Sequence, residues 1–411
     1  MKAPLLFILL TGGAIVTDIH GQTGEDPLAV WRNGVTIRAV APQDGRHTIH
    51  SYFNTCPESP DGRYVLFYAS TARDGHRGQV TIRDRQSGEE KVLATNLAAE
   101  DAHRVACQQW VSQGARVVYH GEREGEWCTW CVDLETMKER VLARGQLAGW
   151  GRPDADEVPL YSPHWKPGSH PDLDLINVVT GARRTPVTVA ALRQAYPDWF
   201  QKAFGDQRPS IFFPILSPDL NRVFFKMALA TGEDPRSAKA SARQGLICYS
   251  LSEKRFLFMS QKWGHPSWQA DSRHITEVHF TTIDSNDGRV TQNPGMATKA
   301  ARAKAAAEGR PAPVTPVRDV SGDHPSTNAD GTLVVTDSLM AGFGGGGKEW
   351  GIVLTDVKGT GQIVLHRFDN SHGAESWRVS HPHPVFSADG RRIYFNVSSG
   401  PWTQLFVAER S

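Results

Sequence analysis

The sequence predicts an all-β fold, a seven-bladed β-propeller closed by an N-terminal strand. Three observations carry that prediction. An Asp-Gly-like turn followed by a short apolar strand recurs along the chain. The copies lie roughly 40–60 residues apart, the spacing of four-stranded propeller blades. The last copy stops two strands after its turn, while a spare strand, residues 34–40, lies near the start. A ring needs that arrangement, because the early strand then completes the last blade and leaves no open edge.

In chain order the turns are Ser59-Pro60-Asp61-Gly62, Ser112-Gln113-Gly114, a weaker copy at Pro153-Asp154-Ala155, Ser217-Pro218-Asp219-Leu220, Ala270-Asp271-Ser272, Ala329-Asp330-Gly331 and Ala388-Asp389-Gly390. Each precedes an apolar run, such as 64–67, 117–119 or 223–225. Second turns at Gln86-Ser87-Gly88, Val179-Thr180-Gly181 and Lys358-Gly359-Thr360-Gly361 follow strands, as hairpin-linked strands require. One propeller is expected over 29–411, with two insertions. Residues 189–204 have helical spacing in Ala190-Ala191-Leu192-Arg193 and Trp199-Phe200. Residues 297–309 are rich in Ala and Lys and form either an exposed helix or a loop.

Residues 1–21 resemble a secretion signal: Lys2, an uncharged apolar run over 4–16, then small residues before Gly21. The run is short and broken by Gly12-Gly13, so no membrane span is expected after its removal. A periplasmic or secreted monomer follows as the expectation. The net charge of +1 argues against a nucleic-acid partner. The five cysteines are an odd number, so at least one is unpaired. Cys128 and Cys131 fall in an expected strand, where positions three apart face opposite ways; buried thiols are expected rather than a redox pair.

Several catalytic patterns fail on inspection. Residues 342–348 formally fit a phosphate loop, but Glu349 stands where Ser or Thr should hold magnesium, and a strand follows instead of a helix. The chain has no Gly-x-Ser-x-Gly and no His-Glu-x-x-His. Carboxylates fall mostly at turns and leave no evident pair for hydrolysis.

The repeat itself locates a site. Counting back seven from Ser272, Gly331 and Gly390 reaches His265, His324 and His383, one imidazole at the same place in three consecutive repeats. Counting forward six gives Tyr68, His120, Tyr161, Lys226, Val278, Asp337 and Asn396. Both positions belong to one face of a propeller. His103 and His381 lie slightly further back on that face. His103, His120, Tyr161, Lys226, His265, His324, His381 and His383 can therefore border one basin.

The run Ser380-His381-Pro382-His383-Pro384-Val385-Phe386-Ser387-Ala388-Asp389-Gly390 resembles the last blade of the oligogalacturonate lyases. That resemblance implies a histidine-bound divalent metal, manganese first, with zinc or calcium as alternatives. It puts His324, His381 and His383 at metal-ligand positions and His265 at the position of the catalytic base. The family's glutamine ligand, three residues before the first histidine of the motif, is replaced here by Arg378. A guanidinium cannot ligate a metal, so Arg378 reads as a carboxylate binder. A second resemblance, to propeller lyases of ulvan and related rhamnose–glucuronate chains, rests on Ala102-His103-Arg104, Gln108-Gln109-Trp110, His120 and Tyr161. It implies that His103, His120 and Tyr161 surround the uronate. The turn motifs are shared with TolB-like propellers.

These residue types suit β-elimination. The C5 proton of a uronate becomes removable once its carboxylate is neutralised, here by Lys226, Arg378 or a metal. Imidazole is a suitable base near neutral pH. The expectation is an exported enzyme acting on an acidic oligosaccharide. The alternatives are a non-catalytic TolB-like or glycan-binding propeller, and a glycosidase using the same basin.

Overall fold

The repeated turns fold alike because the same side chains close them. In the computed structural model, which describes residues 26–321 and 324–411, Ser59 Oγ donates to Asp61 Oδ1 at 2.5 Å and accepts the Tyr64 N–H at 2.9 Å. Ser217 does the same with Asp219 (2.6 Å) and Arg222 (2.9 Å). Ser387 repeats it with Asp389 (2.6 Å) and Arg392 (3.0 Å). Asn328 takes the serine's part in another copy, accepting the Leu333 N–H at 2.9 Å. The residue after the acid adopts a left-handed φ: Gly62 73°, Leu220 61°, Ser272 59°, Gly331 70° and Gly390 66°. Glycine adopts it freely, which explains the Asp-Gly preference.

Each turn launches a strand into an antiparallel sheet. The described strands form five sheets of four and one of eight. The eight-stranded sheet consists of two groups of four, beginning at His47–Ile49 and Gln109–Val111, joined by the pair Ala98 and Glu122. The other sheets begin at Leu147–Ala148, Ser210–Leu216, Ser267–Trp268, Ser326–Thr327 and Val385–Phe386. Strand Val35–Ala39 pairs antiparallel with the last strand, Gln404–Arg410, with Val35 opposite Arg410 and Ala39 opposite Phe406. It thereby becomes the fourth strand of the sheet begun by Val385–Phe386.

Apolar side chains meet between neighbouring sheets. Leu333, Val335 and Ile352 pack with Ile393, Phe395 and Ala408. Val65, Phe67 and Ala69 of the first sheet pack with Tyr394, Leu405 and Val407 of the last. Burying each large apolar side chain contributes roughly 1.5–3 kcal/mol.

The insertion at 189–204 is two helices, Val189–Ala195 and Pro197–Phe204. Leu192, Trp199, Phe200 and Phe204 seat it on Ile211, Phe225 and Ile247. The second insertion contains the helix Lys299–Ala307, capped by the Thr298 hydroxyl accepting the Ala301 N–H. Strand Glu349–Asp356 directly follows the glycine-rich loop, as expected of a loop without a phosphate-binding role. All five cysteines are free thiols, four buried and Cys56 half-buried. No described helix is long and apolar enough to cross a membrane. The signal expected at 1–21 lies outside the described residues.

Candidate functional site

At several turns the two positions reached by counting seven back and six forward lie close across a hairpin. The His120 N–H bonds to Ala106 O at 2.9 Å, and the Asn396 N–H bonds to Pro382 O at 2.7 Å. The His324 N–H donates to Asp337 Oδ1 at 2.8 Å. Strand ends from several sheets thus present their side chains at one end of the fold.

Four imidazoles converge there. Candidate ligand atoms of His103, His324, His381 and His383 all lie within 4.8 Å of one another. His265 packs on this group, its ring centroid 4.2 Å from that of His324. His103 reaches the group because Asp101 folds its loop: Asp101 Oδ1 accepts the backbone N–H of His103 at 3.1 Å and of Arg104 at 2.8 Å. Val105 (φ 43°) and Cys107 (φ 46°) then turn the chain back toward its strand. Burial, reinforced by the neighbouring Arg378 charge, holds His103, His324 and His383 well below the usual imidazole pKa. Burial also lowers His381 to about 4 and His265 to about 2. All five rings are therefore neutral near pH 7, the form that binds metals and accepts protons.

The donor set fits a metal. His103 Nε2, His324 Nε2, His381 Nδ1 and both ring nitrogens of His383 are buried with no hydrogen-bond partner among the described residues. Asp337 braces His324 from outside, at 2.9 Å from Nδ1. Tyr52 fills the floor, its ring 4.7 Å from His383 and stacked on Trp150 at 5.8 Å.

A charged network adjoins the histidines. Glu100 Oε1 lies 3.0 Å from Arg104 Nη2 and 2.7 Å from His164 Nε2. Arg243 approaches the same carboxylate at 3.8 Å, and Arg378 lies 3.9 Å from Asp101. Burial would lower the Arg104 pKa, but Glu100 and Asp101 outweigh it and raise it. Lys226 sits with Nζ 4.0 Å from the Trp263 ring centre. Its pKa falls well below the lysine range through burial, then through Arg243, Arg378 and Arg104, with Glu277 opposing them. The cations outweigh the carboxylates around Lys226, an environment suited to an anionic group. His265, His381, Trp263, Arg243 and Arg378 are half-buried and form the open rim.

The structure thus gathers His103, His265, His324, His381 and His383, with Arg378 and Lys226 beside them. His120 and Tyr161 lie deeper. His120 Nδ1 accepts the Ala148 N–H at 3.0 Å, and Tyr161 is fully enclosed, with Arg104 and Glu100 acting on both. Sequence reasoning missed Tyr52, Glu100, Asp101, His164 and Arg243. It placed His103 in the same basin but gave it a catalytic role apart from the metal-ligand histidines it joins. A cavity of ≈ 240 Å³ toward the turn end, lined by Thr55, Arg152, Ser326 and Asn328, holds none of these histidines.

No family model matches the chain, and no curated protein matches it. Among solved structures, the fold resembles an oligogalacturonate lyase in complex with manganese, with a TM-score of 0.57 at 16% identity over 92% of this chain and 97% of that one. The oligogalacturonate lyase from Vibrio parahaemolyticus gives 0.57 at 13% identity, over 92% and 97%. TolB from Acinetobacter baumannii gives 0.38 at 12%, over 78% of this chain and 64% of that one. These neighbours are propellers. The chain shares the fold of the two oligogalacturonate lyases. At such identities the likeness speaks to architecture, and the site must be argued from its own residues.

Proposed function

We propose that this chain is an exported lyase, periplasmic or secreted, that cleaves uronate-containing oligosaccharides by β-elimination. In this reading it is one seven-bladed propeller over 29–411, closed by strand Val35–Ala39, acting as a monomer. The convergence of neutral imidazoles beside an excess of cations carries the proposal. Supporting the ring are the pairing of Val35–Ala39 with the last strand and the packing of first sheet on last.

Lys226, Arg243 and Arg378 bind the uronate carboxylate. Withdrawing its charge makes the C5 proton removable. His265, neutral and at the rim, takes that proton. The electron pair left at C5 forms the C4–C5 double bond as the bond to O4 breaks, and O4 is protonated from the open rim. His120 and Tyr161, closed from solvent near Arg104, take no direct part in this reading. His324, His381 and His383, with His103, are the residues that would hold a divalent metal, manganese by resemblance. Such an ion would supply further positive charge beside the carboxylate.

The test is a screen of acidic oligosaccharides, read by absorbance of the unsaturated uronate, with and without a chelator. Product with that absorbance is the expected result. Binding without cleavage would leave a glycan-binding propeller. Cleavage to saturated sugars would make it a glycosidase.

A further inference from the structure

The donors at the centre of the site differ from the set implied by sequence resemblance. His324, His381 and His383 supply three imidazoles, and where an amide ligand was expected stands Arg378. The fourth nitrogen comes from elsewhere in the chain, from His103 in the loop that follows the first group of strands. We propose that His103 completes a four-imidazole centre, and that this centre takes a zinc-class ion in preference to manganese. This deepens the function proposed above and rests on it only for the presence of a metal.

Three observations support the assignment. The first is proximity. Candidate ligand atoms of the four residues lie within 4.8 Å of one another. Nitrogens sharing a tetrahedral zinc ion at 2.0–2.1 Å stand about 3.3 Å apart, so closure from a regular arrangement at that limit needs shifts of roughly 0.9 Å per ring. The second is ring orientation. His103 Nδ1 lies 3.1 Å from the Val379 carbonyl oxygen, which can only accept, so Nδ1 carries the hydrogen and Nε2 keeps the lone pair. That Nε2 has no hydrogen-bond partner among the described residues. His324 follows the same plan, with Nδ1 on Asp337 and Nε2 unpartnered. An outer acceptor that fixes the ring while leaving one nitrogen open is the usual setting of a metal-ligating histidine.

The third is donor chemistry. Among the described residues the group consists of nitrogen donors alone. Among the described carboxylates, Asp337 adjoins it and is engaged from outside by the His324 ring and by the His383 N–H at 3.2 Å. Imidazole nitrogen suits zinc, nickel and copper, whereas manganese prefers carboxylate, carbonyl and water oxygen. An oxygen donor from a glutamine at position 378 would tilt the set toward manganese; the guanidinium there cannot.

The experiment uses the purified full chain, stripped with a chelator and titrated with Zn²⁺, Mn²⁺ and Co²⁺ against a chromophoric competitor. One zinc per chain should bind, at least about 100-fold more tightly than manganese. The cobalt form should show the intense visible absorption of four-coordinate nitrogen ligation. His103→Ala and, as a bulkier replacement, His103→Gln should each weaken zinc binding by roughly 100-fold or more and bleach the cobalt bands. Circular dichroism identifies which variant is folded. If both variants fail to fold, the wild-type zinc-to-manganese ratio and cobalt spectrum decide alone. Equal affinity for the two ions, a weak six-coordinate cobalt spectrum, or wild-type zinc affinity in a folded His103 variant would each overturn the proposal. No substrate enters these measurements. A zinc-preferring chain that cuts no uronate would remove the lyase reading and leave this one standing; a manganese-preferring lyase would do the reverse.

Discussion

One carboxylate, that of Asp337, holds two of the converging histidines. Its oxygens lie 3.0 and 2.9 Å from His324 Nδ1 and accept the His324 and His383 backbone N–H groups at 2.8 and 3.2 Å. Asp337 is wholly buried, which pushes its pKa up to about 7. A cation beyond the imidazoles would favour its charged form. Asp337→Asn keeps the shape but loses the charge and presents an NH2 group on one side. Metal affinity should fall about 10–100-fold. Chelator competition measures it, and unchanged affinity would confine Asp337 to a role in folding.

His265 is the proposed proton acceptor. Replacing it with Ala should lower turnover by about 10²–10⁴-fold. The fold should survive, because the ring lies at the half-buried rim. Steady-state rates with matched circular dichroism test this. Near-normal turnover in His265→Ala with a collapse in His120→Ala would move proton transfer to the deeper pair.

Lys226 is surrounded by positive charge and closed in by Phe212, Phe213 and Trp263. A substrate carboxylate would add counter-charge to that of Glu277. Lys226→Met should reduce kcat/KM by roughly 30-fold or more, equivalent to about 2 kcal/mol. Binding of the methyl-esterified oligosaccharide, which lacks the charge, should change little. Equal losses on both ligands would show that the ammonium is not reading the carboxylate.

Acid should destabilise the fold for a reason that is visible in two rings. Burial lowers His50 and His120 from 6.5 to about 3. As pH falls below 6.5 the unfolded chain binds protons that these rings refuse in the native state. The unfolded state then holds more protons, so native stability falls between about pH 6.5 and about pH 3. Denaturant titrations at several pH values should show that slope, reduced by about one proton in His120→Gln. A flat profile down to about pH 4 would contradict it.

The turns make a simpler claim. In Ser387→Ala the hydroxyl that joins Asp389 to the Arg392 N–H disappears. Buried backbone left unpaired in this way typically costs about 1–3 kcal/mol. Thermal melting should register the loss, and the same change at Ser217 should produce one of similar size.

Much of this was legible in the sequence because it repeats. The Ser-x-Asp turns and the matched positions of His265, His324 and His383 follow from counting, since strands and hairpins have fixed periods. The Val35–Ala39 pairing followed from a missing strand. His103 was harder. It lies four residues before the matched position at Cys107, in a loop whose path depends on the Asp101 cap and on positive φ at Val105 and Cys107. Glu100, His164 and Arg243 come from three segments far apart in the chain, and nothing local marks them as partners. Tyr52 occupies the centre for a packing reason that appears only once the rings around it are placed.

The pairing of the first strand with the last also governs time. Arg38 and Glu409, which bond across it at 3.2 Å, are 371 residues apart. The strand that emerges early from the ribosome must wait for Gln404–Arg410 before its edge is covered. Contacts of such long range form late. Every earlier sheet can assemble during synthesis, but the seam cannot. A nascent chain, or a variant lacking Gln404–Arg410, therefore keeps the edge of Val35–Ala39 exposed.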